Sequence, residues 1–234
     1  MDEVQTRWLF LLFIASVITL AVSLFLYYQN LRRRAFIEVA AKLGLQFSHL
    51  SYGLPKRLGL LYQLRRGSNR YAQNIMSGRT KGGQVFVFDY HYCTGDKFNK
   101  SHHHNSIVML RHGLRVPEVR IYPPPFMEQL GRMAGYDKVE HQTGDEAFDK
   151  AFTVLASDPA LAAEVLQPPM REYLLRHPAM SVEVGDEWIA SCMEQPHIPE
   201  EIPRRIRQLQ KIMRIFRHLE SADPFRGMDD LSSF

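Results

Sequence analysis

Between Val85 and His104 the chain sets out residue types that could hold a metal ion. The run from Gln84 to Cys93 alternates as a strand does, with Phe86, Phe88, Tyr90 and Tyr92 on one face and Val85, Val87, Asp89, His91 and Cys93 on the other. Four aromatics on one face predict a surface turned to the core. Opposite them, a carboxylate, an imidazole and a thiol recur at every second position, within side-chain reach of one another. If the next strand returns alongside, His102 or His104 joins them, giving N, S and O ligands suited to zinc. The loop Thr94–Ser101 leaves the register of that return open. A solvated sheet face beside a His-rich loop accounts for the same residues, and it is the plainer reading. The sequence therefore leads us to expect no metal and no cofactor. Asp89, His91, Cys93, His102 and His104 remain the set on which a metal-dependent enzyme would draw.

Other chemistry is harder to find. The chain has no Gly-x-Ser-x-Gly, no His-Glu-x-x-His and no Walker A loop. Gly78-Arg-Thr-Lys-Gly-Gly has a phosphate-friendly composition, but it lacks the Gly-Lys-Ser/Thr ending and falls between two β-prone runs, as a hairpin turn does. Asp89, Asp96, Glu118 and Asp145 show no pairing that spacing could tie to acid–base work. Cys93 and Cys192 match no zinc-finger spacing, and Cys192 fits a small buried hydrophobe. No catalytic residue is named on these grounds, and the balance points away from an enzyme.

The elements that must position these residues begin with a membrane segment. Trp8–Tyr28 is 21 residues without a charge, roughly 31 Å of helix against a hydrocarbon core of about 30 Å. Trp8 opens the run and Tyr27 and Tyr28 close it, as rings at the two interfaces do. Asp2 and Glu3 precede it, and it leads straight into Arg32-Arg33-Arg34, which is not the layout of a cleaved signal peptide. Three arginines after the span against Arg7 before it orient the C-terminal side to the cytoplasm of an inner membrane. This predicts an outer tail over 1–7, a span over 8–28 and a basic juxtamembrane segment over 29–34, with Arg32, Arg33 and Arg34 at the membrane surface. A cytoplasmic domain over 35–222 and a mobile tail over 223–234 follow.

Within the domain, Ala35–Leu43 predicts a short helix stopped by Gly44. Tyr71–Met76, Gln84–Cys93, Ile107–Arg111 and Val119–Tyr122 predict strands. Pro123-Pro124-Pro125 suggests a subdomain boundary near 123–125, followed by a helix over Phe126–Ala134. Phe148–Ala156 alternates like a strand. Asp158 caps a helix over Pro159–Leu166, and Pro168 opens another through Arg176. Ser181–Val184 and Glu187–Cys192 flank Gly185-Asp186 like a hairpin. Pro203–Leu219 is an amphipathic helix with Ile206, Leu209, Met213 and Phe216 on its apolar stripe, and with Arg204, Arg205, Arg207, Lys211, Arg214 and Arg217 largely off it. Short antiparallel strands with packed helices make an α+β fold.

Charge divides the chain. Residues 29–120 carry a net +12 and residues 121–203 a net −10, so the overall +4 is a polarity rather than a surplus. Lys and Arg beside the cytoplasmic leaflet gain about 1 kcal/mol each from anionic lipid. Pairing between the two halves explains the same charges. Nucleic acid is not expected, since the aromatics fall on the core face.

Two stretches resemble a known pattern. Asn74-Ile-Met-Ser-Gly-Arg with Val85-Phe-Val-Phe-Asp-Tyr-His-Tyr-Cys-Thr-Gly, and Phe148-x3-Phe152-x-Val154-x-Ala156-x-Asp158-Pro159 followed by Ala162, Leu166, Met170 and Leu174, are similar to bacterial membrane-anchored proteins with a domain of unknown function. His91 and Cys93 fall outside that pattern. The resemblance covers about half the chain and implies a tethered α+β domain without an assigned activity. The expected function is a membrane-anchored interaction or scaffold domain whose partners are the bilayer and another membrane protein. The alternatives are recognition of anionic lipid headgroups and the metal-dependent enzyme.

Overall fold

The computed structural model describes residues 3–58, 61–65, 67–80, 82–96, 99–124 and 139–221. In chain order the elements are α1 (Glu3–Lys42), β1 (Gln46–Ser51), α2 (Leu54–Arg57), α3 (Tyr62–Arg65), β2 (Ser68–Thr80), β3 (Gly83–Thr94) and β4 (Ser101–Tyr122). There follow β5 (Val139–His141), α4 (Glu146–Ala151), β6 (Thr153–Ala156), α5 (Pro159–Val165), α6 (Pro168–Leu175), β7 (Ser181–Met193), a 3-10 turn (Pro199–Glu201) and α7 (Ile202–Ser221). The fold is α+β, as its sequence pattern requires. The expected helix over Phe126–Ala134 and the tail over 223–234 lie outside the described residues.

Helix α1 runs unbroken for 40 residues, about 60 Å at its rise per residue. The separate span, juxtamembrane segment and short helix expected from the sequence are therefore one element. No Gly or Pro occurs before Gly44, so nothing in the sequence stops the helix earlier. Gly44 then takes φ +67°, with its N–H on the Ala41 carbonyl and the Leu45 N–H on the Ala40 carbonyl, the paired bonds of a left-handed helix stop. All the large apolar side chains of Trp8–Tyr28 are exposed. Ser16 and Thr19 hydroxyls donate back to the Phe13 and Ala15 carbonyls. The helix is long and apolar enough to cross a bilayer, the environment such a surface needs.

Among the described residues seven strands form one sheet, ordered β1-β2-β3-β4-β6-β5, with every pair antiparallel. β4 is its axis. One edge of β4 pairs with β3 and then with β6, and the other edge pairs with β7. Segments from both sides of Pro123-Pro124-Pro125, near which a subdomain boundary was expected, thus share one sheet. The expected strands 107–111 and 119–122 are two parts of β4, joined through a register shift. The expected hairpin at Gly185-Asp186 is a mid-strand irregularity instead. Asp186 does take φ 50°, but it lies opposite Val116, where β4 shifts register too, so both strands run on. Phe148–Ala156 divides into α4 and β6, because Asp145 accepts the Phe148 N–H and nucleates a turn of helix first.

The sheet separates two cores. On one face Phe36, Val39 and Ala40 of α1 join α5, α6 and α7 over Val85, Val87, Val108, Leu110 and Ile121. On the other, Leu54, Leu58, Leu61 and Leu64 cover Phe88, Tyr90, Tyr92, Ile107, Met109 and Trp188. The aromatic face of β3 is a core face, as its alternation indicates. Its opposite face is buried as well, which overturns the expectation of a solvated surface at Asp89, His91 and Cys93.

Candidate functional site

Asp89 holds α1 to the sheet. The carboxylate is 3% exposed, and a buried charge needs a partner. Its Oδ2 accepts Arg32 Nη2 at 2.8 Å and Asn74 Nδ2 at 2.9 Å, and its Oδ1 accepts the His197 N–H at 2.8 Å. Asn74 reaches it because its φ of 52° and the register shift between Gln73 and Met76 turn the side chain inward. Arg32 Nη2 also donates to the His197 carbonyl at 2.9 Å. Arg32 is thus half-buried against Asp89, while Arg33 and Arg34 stay exposed.

His197 extends this network to α7. Its Nε2 donates to the Ile107 carbonyl, and its Nδ1 accepts from Arg205 Nη1 at 2.9 Å. Burial, reinforced by the Arg205 charge, holds the ring pKa well below the ordinary value, so it stays neutral. Arg205 also donates to Ser106 Oγ and to the Ser106 carbonyl, and burial pulls its pKa down to about 10. The expectation that Arg205 lies off the apolar stripe is therefore corrected. It sits inside, satisfied by polar partners on β4.

The second group lies further along the same face of β3. The register pairs His91 with His104 and Cys93 with His102, which places three imidazoles and a thiol together on one face of two adjacent strands. His91 Nε2 is 3.1 Å from His102 Nδ1, and Cys93 Sγ is 3.5 Å from that same Nδ1. The His104 ring lies 4.8 Å from the His91 ring. Asp89 takes no part, since Arg32, Asn74 and His197 occupy its oxygens. His91 Nδ1 lies 3.3 Å from the Asn69 carbonyl, and Tyr71 stacks on its ring at 4.5 Å. Burial lowers the His91 pKa. His91 and Cys93 are buried, while His102 and His104 are exposed. His103 turns to the opposite face and stacks on Tyr92.

This end of the sheet points back along α1 toward its apolar run. β1 leaves the end of α1 and returns along it, so that His49, Gln73 and Asn74 line a cleft of about 230 Å³ with Leu26, Gln29, Asn30, Arg32 and Arg33. Leu50 and Tyr52, at the end of β1, are exposed.

No protein-family model matches the sequence, and no curated protein matches it. The chain is similar to the crystal structure of the mycobacterial trehalose monomycolate transport factor A, TtfA, with a TM-score of 0.57 and 17% sequence identity over 78% of this chain and 94% of that one. The likeness is one of fold.

A further buried carboxyl escaped the sequence reading. Glu183 of β7 lies opposite Arg120 of β4, accepts the Tyr122 hydroxyl, and faces the Gln63 N–H at 3.4 Å. Burial raises its pKa to about 7. Beside it, Glu118 accepts from Arg120 at 2.8 Å and from Arg65 at 3.0 Å, and Arg120 stacks on Tyr62. The signal available for Asn74, His197, Arg205 and Glu183 was weak: each is a single polar residue with a partner between 15 and 120 positions away in the chain.

Proposed function

We propose that the chain is an accessory domain on the cytoplasmic face of the inner membrane, acting there as a scaffold for an integral membrane partner. The observation that carries this reading is the continuity of α1, which enters the core at Phe36, Val39 and Ala40 and is clamped by Arg32 on Asp89. A flexible tether would suffice to keep an independent enzyme near a membrane. A rigid helix built into the core fixes the orientation of the domain relative to the span, which matters when the domain must meet a second membrane protein. The arginines at 32–34 support the cytoplasmic placement. The name of TtfA, a transport factor, supports an accessory role.

The test is photocrosslinking in cells from exposed Leu24, Tyr28 and Tyr52. One discrete membrane-protein adduct shared by these positions is expected, and adducts with lipid alone would sink the reading. Impermeant maleimide should label Thr6→Cys in intact cells and Lys42→Cys only after permeabilisation; the reverse pattern would overturn the orientation.

A second reading, binding of an anionic lipid headgroup, is favoured by the cleft beside Leu26, Gln29, Asn30 and Arg33, which lies at the end of the apolar run. Arg33 is its exposed cation. On this reading the full chain retains phosphatidylglycerol over phosphatidylcholine in native mass spectrometry, and Arg33→Gln abolishes the preference. Equal retention of both lipids would remove it.

A further inference from the structure

We propose that His91, Cys93 and His102 bind one zinc ion at the end of the β3–β4 ladder. This goes beyond the scaffold reading and does not depend on it. The three donor atoms lie within 4.8 Å of one another. A tetrahedral zinc ion, with Zn–N of about 2.05 Å and Zn–S of about 2.3 Å, sets N···N edges of about 3.3 Å and N···S edges of about 3.6 Å. The separations of 3.1 Å for His91–His102 and 3.5 Å for Cys93–His102 match these edges to within a few tenths of an ångström.

The ring chemistry agrees with this. A carbonyl only accepts, so the contact of His91 Nδ1 with Asn69 makes Nδ1 the protonated nitrogen and leaves Nε2 as a bare lone pair aimed at His102. A histidine whose far nitrogen is held by a backbone carbonyl has the usual support of a metal ligand. The carbonyl lies at the irregularity of β2 where Asn69 takes φ 49°, and the Tyr71 stack sets the ring plane. His102 Nδ1 faces two electron-rich groups, His91 Nε2 and Cys93 Sγ. A single N–H there would satisfy only one, whereas an ion between them satisfies all three. Two imidazoles and a thiolate select zinc and its soft neighbours over magnesium or calcium. His91 and Cys93 form a dry inner wall, and the exposed His102 leaves the fourth position open to solvent beside His104.

The experiment uses the full chain in detergent, purified without a polyhistidine tag, stripped of metal and reloaded. Elemental analysis should give one zinc per chain, and zinc should raise the Tm. Loading with Co(II) should give a thiolate-to-cobalt charge-transfer band with tetrahedral visible bands. Cys93→Ser should lose the charge-transfer band. His102→Ala, at an exposed position whose loss leaves the metal-free fold intact, should weaken zinc at least tenfold and abolish the Tm rise. Well under one equivalent in the native chain, or cobalt spectra and affinities unchanged by both substitutions, overturns the proposal.

Discussion

At Glu183 the fold keeps a carboxyl where water does not reach it, at 2% exposure. Burial raises its pKa from 4.5 to about 7, outweighing the lowering by the Tyr122 hydroxyl and the nearby Arg120. Because the folded pKa lies above the unfolded one, Glu183 favours the folded state most below about pH 4.5. That contribution is lost as pH rises to about 7, a change on the order of 3 kcal/mol. Glu183→Gln should therefore flatten this part of the stability profile and make the protein more stable at pH 8, measured by urea unfolding at pH 5 and pH 8. An unchanged difference between the two pH values would contradict it. Asp89 has the opposite problem, a charge kept by its partners. Arg32→Met leaves that carboxylate with neutral donors only and should cost about 2–4 kcal/mol, reduced from the fully buried case because Arg32 is partly exposed. Asp89→Leu added to Arg32→Met should recover part of the loss, since it removes the orphaned charge. A double variant as unstable as the sum of the two single ones would rule out the pairing as the cause.

Helix and strand ends divide into those fixed locally and those fixed across the sheet. Gly44 belongs to the first kind: its φ of +67° stops α1, and an added Cβ there meets nothing within 4 Å, so only backbone strain opposes it. Gly44→Ala should cost about 1 kcal/mol, while Gly53→Ala, at φ −86° with equal space, should be neutral. Equal Tm changes in the two variants would show that the helix stop does not depend on the left-handed residue. The same locality made α5 legible in advance, since Asp158 accepts the Ala160 N–H and Pro159 sets the first turn. Gly185-Asp186 was misleading because positive φ serves a hairpin and a mid-strand irregularity equally. The choice between them was made by β4, whose length as one strand no local pattern announces. The candidate site followed the same rule. Alternation placed Asp89, His91 and Cys93 on one face, but only the β3–β4 register decided that His102 meets Cys93 while Asp89 turns to Arg32.

At the scale of the molecule, the boundary between anchor and domain falls inside α1 rather than after it. Residues up to Tyr28 have apolar side chains exposed, whereas Phe36, Val39 and Ala40 belong to the core. A chain beginning at Gln29 keeps those contacts and the Arg32–Asp89 pair, and it should fold in water without detergent. A chain beginning at Leu45 loses the burial of Phe36 and Val39, about 4–5 kcal/mol at the usual value for each side chain. It also removes Arg32 from the buried Asp89, a further cost of about 2–4 kcal/mol as for Arg32→Met. The total approaches the whole stability of an ordinary domain, about 5–15 kcal/mol. The shorter chain should therefore lack a cooperative thermal transition and aggregate, while the longer one melts cooperatively, as circular dichroism on the two will show. Cooperative melting of both at the same Tm would mean that the end of α1 is a docked appendage, and that the span does not set the orientation of the domain.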